Sequence, residues 1–485
     1  MQKSYSPKFF SLITCLGGIY YGFFLGIFYQ PLDYPDEWNF HQELSNVNYS
    51  LFNSLYPSGS FIGTLLAAYT TYRFGRVKTT FLTDLLTAIS LIIMISINYF
   101  EAFFIGRFLM GVSAGVNFPL MIILIREFVL EKDYLSCIVI FQVMNTVGIF
   151  FSSLLSIPGI RQLPIGIALI FPIIRMCYYW RMIRLNIDSP IYMLYANEKD
   201  GIHPEQDCRK RLEEIYPEKH IETLIDTITV QKTLLQKDFF MGNMFSPEYV
   251  AEIMFCIAIL FLNQSCGINQ VLGYSGQIFK QKNRVIPVIF SAVNFMGGIS
   301  LFLTVPSRKY KGISRYFLSI TFERGLKRFV VGTLLIIIIL GVFGFQIIYP
   351  SDSDDQKDYT VFLVLGCIYL LIFQYCLGIY PFIYIPVLLP DIGVFMVLVI
   401  HSTFGMIVSL SFYFGSNTFQ VIFRFCFTAS IAGIIIAVVI FKYFLKDKPN
   451  VNVRKVDEEN KREGEGNEIK KFLSAETKKS QLELK

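Results

Sequence analysis

The side chains best placed to do chemistry stand together in an otherwise apolar run, Asn263-Gln264-Ser265-Cys266-Gly267-Ile268-Asn269. On a helix, positions 263, 264, 267 and 270 or 271 fall close to one face. Each carboxamide offers two donors and an acceptor. Such groups can answer hydroxyls that both donate and accept, without the cost of an unpaired charge in an apolar setting. The chemistry is that of binding a neutral, polyhydroxylated ligand. The same amides could instead tie helices to one another. Gly267, Gly273 and Gly276 would let the segment bend or break and turn backbone groups toward a cavity.

Other reactive constellations are missing from the sequence. Its four histidines, His41, His203, His220 and His401, are scattered, and eight of the nine cysteines sit in apolar runs, where they read as small buried hydrophobes. Neither set has metal-ligand spacing, and there is no Gly-x-x-x-x-Gly-Lys-Ser/Thr loop for a nucleotide. No catalytic group, metal or cofactor is expected. His401 alone lies within an apolar run, either as a ligand or proton carrier or as a satisfied interior imidazole, whereas Arg175 and Arg424 are expected near run ends, reaching out to water.

The elements that must position the amides follow from composition. Of 485 residues 53% are apolar and only 16% charged, with a mean hydropathy of +0.50, far from the roughly one-quarter charged residues of soluble proteins. A membrane-spanning helix needs about 20 apolar residues. Twelve runs meet that need, at 9–29, 51–71, 79–99, 102–125, 135–156, 163–180, 249–279, 285–305, 329–349, 360–388, 394–413 and 419–445. The expected fold is an all-α membrane protein of twelve helices in two six-helix bundles, 1–180 and 249–445. A cytoplasmic helical loop, 181–248, joins them, and a disordered tail, 446–485, follows. The continuous runs exclude a transmembrane barrel, whose strands alternate.

Basic residues fix the orientation. The Arg73–Lys78 loop carries three and the Arg308–Arg328 segment seven, whereas Gln30–Ser50 has four acids and no Lys or Arg. The positive-inside rule places the basic loops and both termini in the cytoplasm, with Lys280, Lys282 and Arg284 as a local exception. Topology thus accounts for the net charge of +6, and nucleic acid is not an expected partner. The sequon at Asn48 would lie outside, close to the second span.

Asn-Gln-x-x-Gly-Ile-Asn followed by Tyr274-Ser275 resembles the seventh-span signature of the sugar porters of the major facilitator superfamily, which usually reads Gln-Gln-x-x-Gly-Ile-Asn. Further matches run through most of the chain. Arg73-Phe74-Gly75-Arg76-Val77-Lys78, preceded by Gly59 and Gly63, is similar to the family's Arg-x-Gly-Arg-Arg loop. Gly106-Arg107 with Gly111 and Gly115 matches its fourth-span pattern, and Glu127 its cytoplasmic glutamate. Asp188-Ser189-Pro190 is similar to its Pro-Glu-Ser-Pro-Arg, with Ile191 in place of the Arg. Gly378-Ile379-Tyr380-Pro381-Phe382 resembles its Gly-Pro-x-Pro-Trp segment, with Phe382 for the Trp, and Gln374 and Val387 replace two family acids.

The resemblance implies a small neutral sugar as substrate, bound by Gln142, Asn263, Gln264, Asn269, Asn294 and Phe382. It also implies a gate formed by Arg73, Gly75, Arg76, Arg107, Glu127, Gly378 and Pro381, with Arg107 and Glu127 at cytoplasmic ends and pairing with the basic loop. Proton-coupled members carry an aspartate in the first span where this chain has Phe24, and Asp84 is read as lying close to a cytoplasmic end. Facilitated diffusion of a hexose such as glucose or fructose is therefore the expected function, with a proton symporter or a non-transporting sugar sensor as alternatives. The expected setting is a lipid bilayer, the plasma membrane or an internal one.

Overall fold

A hydrocarbon environment offers backbone groups no water, so each must be satisfied within the protein, and helices do this locally. The computed structural model describes residues 7–26, 46–193, 247–273, 285–304, 322–348, 355–411 and 430–439, apart from a few positions inside these ranges, together with 209, 213 and 221. Its first six helices are α1 (Pro7–Gly26), α2 (Asn46–Phe74), α3 (Arg76–Ser96), α4 (Phe100–Phe128), α5 (Glu131–Leu155) and α6 (Gln162–Arg184). The second half holds α7 (Pro247–Ser265), α8 (Ile268–Gly273), α9 (Val285–Ser300), α10 (Phe322–Ile348), α11 (Asp355–Ile372), α12 (Tyr380–Leu388) and α13 (Asp391–Ser411). Nine helices are long and apolar enough to cross a membrane among the described residues. Most of the twelfth apolar run, most of the central segment and the tail lie outside the described residues, as do Lys280, Lys282, Arg284 and Arg424.

Two of the spans are broken where the sequence demands it. The seventh run stops at Ser265, and Gly267 takes φ 77°, a left-handed conformation that glycine adopts without a Cβ penalty. The chain then resumes as α8, so the helical face expected through 267 is interrupted there. The tenth run leaves α11 through a π-turn, Phe373–Gly378, and re-enters a helix only at Tyr380, with Pro381 in the first turn of α12. Pro381 has no N–H to continue the earlier ladder. The sequon at Asn48 falls inside α2.

Close backbone approach builds the first bundle. A Cβ at Gly59 or Gly63 would stand 2.3 or 2.1 Å from the carbonyls of Phe108 and Val112, and one at Gly111 or Gly115 would be as close to Tyr56 and Ser60. Glycines four apart on both α2 and α4 therefore bring the two backbones together as small residues do in membranes. The halves meet along α2 against α13 and α5 against α9. Phe150 stacks on Phe295 at 5.6 Å and Thr64 bonds Ser402 at 3.0 Å across that seam. Large apolar side chains such as Leu65, Ile92, Ile105 and Ile170 remain exposed on the outer faces, where lipid is their solvent.

Candidate functional site

A cavity of about 190 Å³ lies between the halves, walled by α1, α2, α4 and α5 on one side and by α7, α8, the π-turn, α12 and α13 on the other. Gln142, Asn263, Gln264 and Phe382, from the expected binding set, line it together with Gly378, from the expected gate. Gln142 on α5 donates to Gln374 Oε1 at 3.0 Å, and Gln374 donates in turn to Asn294 Oδ1 at 2.7 Å. This chain of amides crosses from one half to the other. Asn294 is fully buried behind Gln374 and does not reach the cavity wall. Asn269 lies on α8, with its side chain outside the described residues.

The far wall is aromatic and polar. Phe382 meets Phe118 edge-on, ring centroids 4.9 Å apart, and also stands edge-on to His401 at 6.0 Å. A phenyl face can cover the apolar C–H patch of a sugar, though it lacks the indole donor. Gln264 Nε2 lies 2.9 Å from His401 Nε2, so the imidazole orients the amide. Asn263 donates to the carbonyl of Leu377 at 3.3 Å, inside the π-turn. Arg107, Asn145, serine, threonine and two tyrosines, Tyr21 and Tyr56, also belong to the lining, which contains no Asp or Glu among its described residues.

At the end where α2 turns into α3, buried charges join the halves. Arg76, the first residue of α3, sits 3.2 Å from Glu127 on α4 and 3.1 Å from Asp391 at the start of α13. Arg126 also pairs with Asp391 and donates to the carbonyls of Pro386 and Leu389 at 2.7 and 3.3 Å. Tyr72 and Tyr192 face the Arg76 guanidinium at 5.3 and 5.4 Å. Asp188, after α6, accepts the N–H groups of Arg76, Val77 and Ser189 at 3.1, 3.2 and 2.7 Å. It thereby caps a helix to which it is not adjacent in sequence. Burial pushes its carboxyl up to about 6, against the bond from Ser189 N–H and the attraction of Arg76. Gly75 adopts φ 89° and ψ 169° beside it, and a Cβ there would stand 2.3 Å from Asp188 Oδ2.

Several expected positions change. Arg73 is exposed in the last turn of α2, outside the buried cluster. Arg107 does not join the basic loop: it is twenty residues, about 30 Å, along α4 from Glu127, and it bonds the carbonyls of Phe24 and Phe52 at 3.1 and 3.2 Å. Glu127 pairs with Arg76 of the basic loop. Arg175 does not reach out to water but is fully buried against Asp84 at 3.4 Å. Asp84 lies eight residues into α3, about 12 Å from its start, held by Tyr20 at 2.8 Å and Asn117 at 3.2 Å. It is therefore deeper than its proximity to the basic loop suggested. Space for Arg175 exists because position 17 is glycine; a Cβ there would stand 2.1 Å from Nη1.

Sequence reasoning missed Arg126 and Asp391 and treated Gln374 only as a lost acid. A signal existed for Asp391, the sole acid between the tenth and eleventh apolar runs.

A family model described as sugar (and other) transporter matches residues 10–448. Facilitated glucose transporter protein 1 of Caenorhabditis elegans is 21% identical over 392 residues, 76% of this chain and 73% of that one. A facilitated glucose transporter homolog of the same organism is 22% identical over 241 residues, 47% of this chain, and the match spans 45% of that relative's length. Among solved structures, the proton:xylose symporter XylE bound to 6-bromo-6-deoxy-D-glucose superposes with a TM-score of 0.69 at 17% identity, covering 90% of this chain and 95% of that one. A partially occluded inward-open conformation of the E. coli protein gives 0.63 at 16%, covering 90% and 98%. These likenesses establish the fold as that of major facilitator transporters.

Proposed function

The chain belongs to the family of sugar (and other) transporters, and from that premise we propose that it carries a neutral hexose, of the glucose or fructose kind, across its membrane by alternating access. One observation carries the reading. Carboxamides from both halves, Gln142 on one side and Gln264 and Gln374 on the other, wall the same cavity, with no carboxylate among its described lining residues. Sugar hydroxyls would exchange with the Gln142–Gln374 bond, so that occupancy and the contact between halves are linked. The Arg76–Asp391–Arg126 cluster would act as the cytoplasmic gate, formed while the site faces outward and broken as the halves rock.

Facilitated diffusion is the coupling mode this site supports best. A proton carrier needs a titratable group that switches within the pathway, and Phe24, where coupled relatives have an aspartate, gives Arg107 only its backbone carbonyl. Asp84 favours a second reading, proton symport, because it is a carboxylate buried in the first bundle with Arg175. Uptake of labelled D-glucose and D-fructose into proteoliposomes, with and without an inward proton gradient, tests the choice. Saturable uptake indifferent to the gradient supports the uniporter. Gradient-driven accumulation lost in Asp84→Asn would transfer the assignment to symport, and binding without flux would make the protein a sensor.

A further inference from the structure

Both breaks in the second half are stitched by a side chain from the other broken helix. In an unbroken α-helix the carbonyl of Leu377 would accept from the N–H four residues on, but that residue is Pro381, which has none. Asn263 Nδ2, on α7, occupies the vacancy at 3.3 Å. Conversely Tyr369, on α11 just ahead of the π-turn, donates its hydroxyl at 2.6 Å to the carbonyl of Cys266, inside the α7–α8 break. Asn263 and Tyr369 are both buried. An unpaired carbonyl away from water is costly, and each of these bonds ties one break to the other broken helix.

We propose that Asn263 is a positioning residue that replaces the donor Pro381 lacks and, with Tyr369, latches the two broken helices so that they move as one unit when the carrier reorients. Of the adjacent amides, Gln264 is then the one that addresses the sugar, held by His401 rather than by the hinge. A latch acts on the rate of reorientation; a ligand acts on affinity. The inference rests on the transport reading, and the test keeps the two apart.

Equilibrium exchange and binding of labelled D-glucose are measured on the full-length protein in proteoliposomes for wild type, Asn263→Ala, Tyr369→Phe, Pro381→Ala and the Asn263→Ala/Pro381→Ala pair. Absence of exchange by wild type overturns the transport reading itself. With wild-type exchange present, Asn263→Ala is expected to slow exchange about tenfold, the size of one buried carbonyl left unpaired, with the dissociation constant changed less than about threefold. Tyr369→Phe, which removes a single oxygen and preserves packing, should slow exchange in the same way. Pro381→Ala restores an N–H opposite Leu377, so adding Asn263→Ala in that background should cost less than about threefold. A roughly tenfold rise in the dissociation constant for Asn263→Ala with exchange velocity intact would overturn the inference, as would an equal loss in both backgrounds.

Discussion

Arg76 and Asp391, 315 positions apart in sequence, meet at 3.1 Å with both side chains buried, and theirs is one of the ion pairs that fasten the two halves at the basic end. Arg126 shares Asp391, so a single carboxylate neutralises two cations of the opposite half. Removing one partner of a buried pair typically costs about 3–5 kcal/mol because the other charge is left stranded. Asp391→Asn takes away the carboxylate that Arg126 and Arg76 share, leaving Arg76 only Glu127, and the closed state of this end should lose its advantage. Hydrogen exchange of peptides covering 76–80 and 386–395 should rise at least severalfold in the variant; unchanged protection would show that packing along α2 and α13, not the charges, holds the end shut.

Gln264 is expected to carry sugar affinity. Gln264→Ala removes an amide that lines the cavity, and a neutral hydrogen bond contributes about 1 kcal/mol with a further penalty for the group left unanswered. A rise of about tenfold in the dissociation constant for labelled D-glucose follows. His401→Ala, which frees the amide without removing it, should raise it by a smaller factor. Equal affinity in all three proteins would remove both residues from the site.

Gly75→Ala should destabilise the protein without touching the cavity. The backbone at φ 89° and ψ 169° belongs to a region open essentially to glycine, and the new methyl would push against Asp188, which caps α3. A cost of about 1–3 kcal/mol is expected, visible as a lower melting temperature in detergent. A variant as stable as wild type would mean that the turn relaxes freely.

Asp188 also gives stability a pH dependence. Its carboxyl titrates near 6 in the folded protein against an ordinary value of 3.8. Being raised on folding, it favours the folded state most below the ordinary value and loses that contribution as pH climbs through 6. Asp188→Asn cannot ionise and retains an acceptor for Arg76 and Val77. Its melting temperature relative to wild type should therefore improve between pH 4 and pH 6 to 7 and level off above; a difference independent of pH would contradict the assignment.

The apolar runs that are helical among the described residues, the break at Gly267 and the amides of the cavity wall were legible in the sequence because each is local: run length, a glycine free to bend, polar side chains in apolar surroundings. The described residues bear out eleven of the twelve runs as helical, with the twelfth largely beyond them. Charge pairing was less legible. Asp391 and Arg126 are unremarkable where they stand and acquire a role only when the halves meet. Arg107 was read with Glu127 because both share one motif-rich helix, yet twenty residues of helical rise put them at opposite ends. Arg175 and Asp84 each look costly alone and become tolerable only as a pair with Tyr20 and Asn117 around them.

The central claim is that a neutral hexose crosses through this cavity without help from a proton gradient. Counterflow of labelled D-glucose in proteoliposomes preloaded with unlabelled sugar, at equal pH on both faces, tests it most directly, with Gln142→Ala/Gln264→Ala as the control. A transient, saturable overshoot that collapses in the double variant is the predicted result. Sugar binding by the wild-type protein with no counterflow at any preload would contradict it.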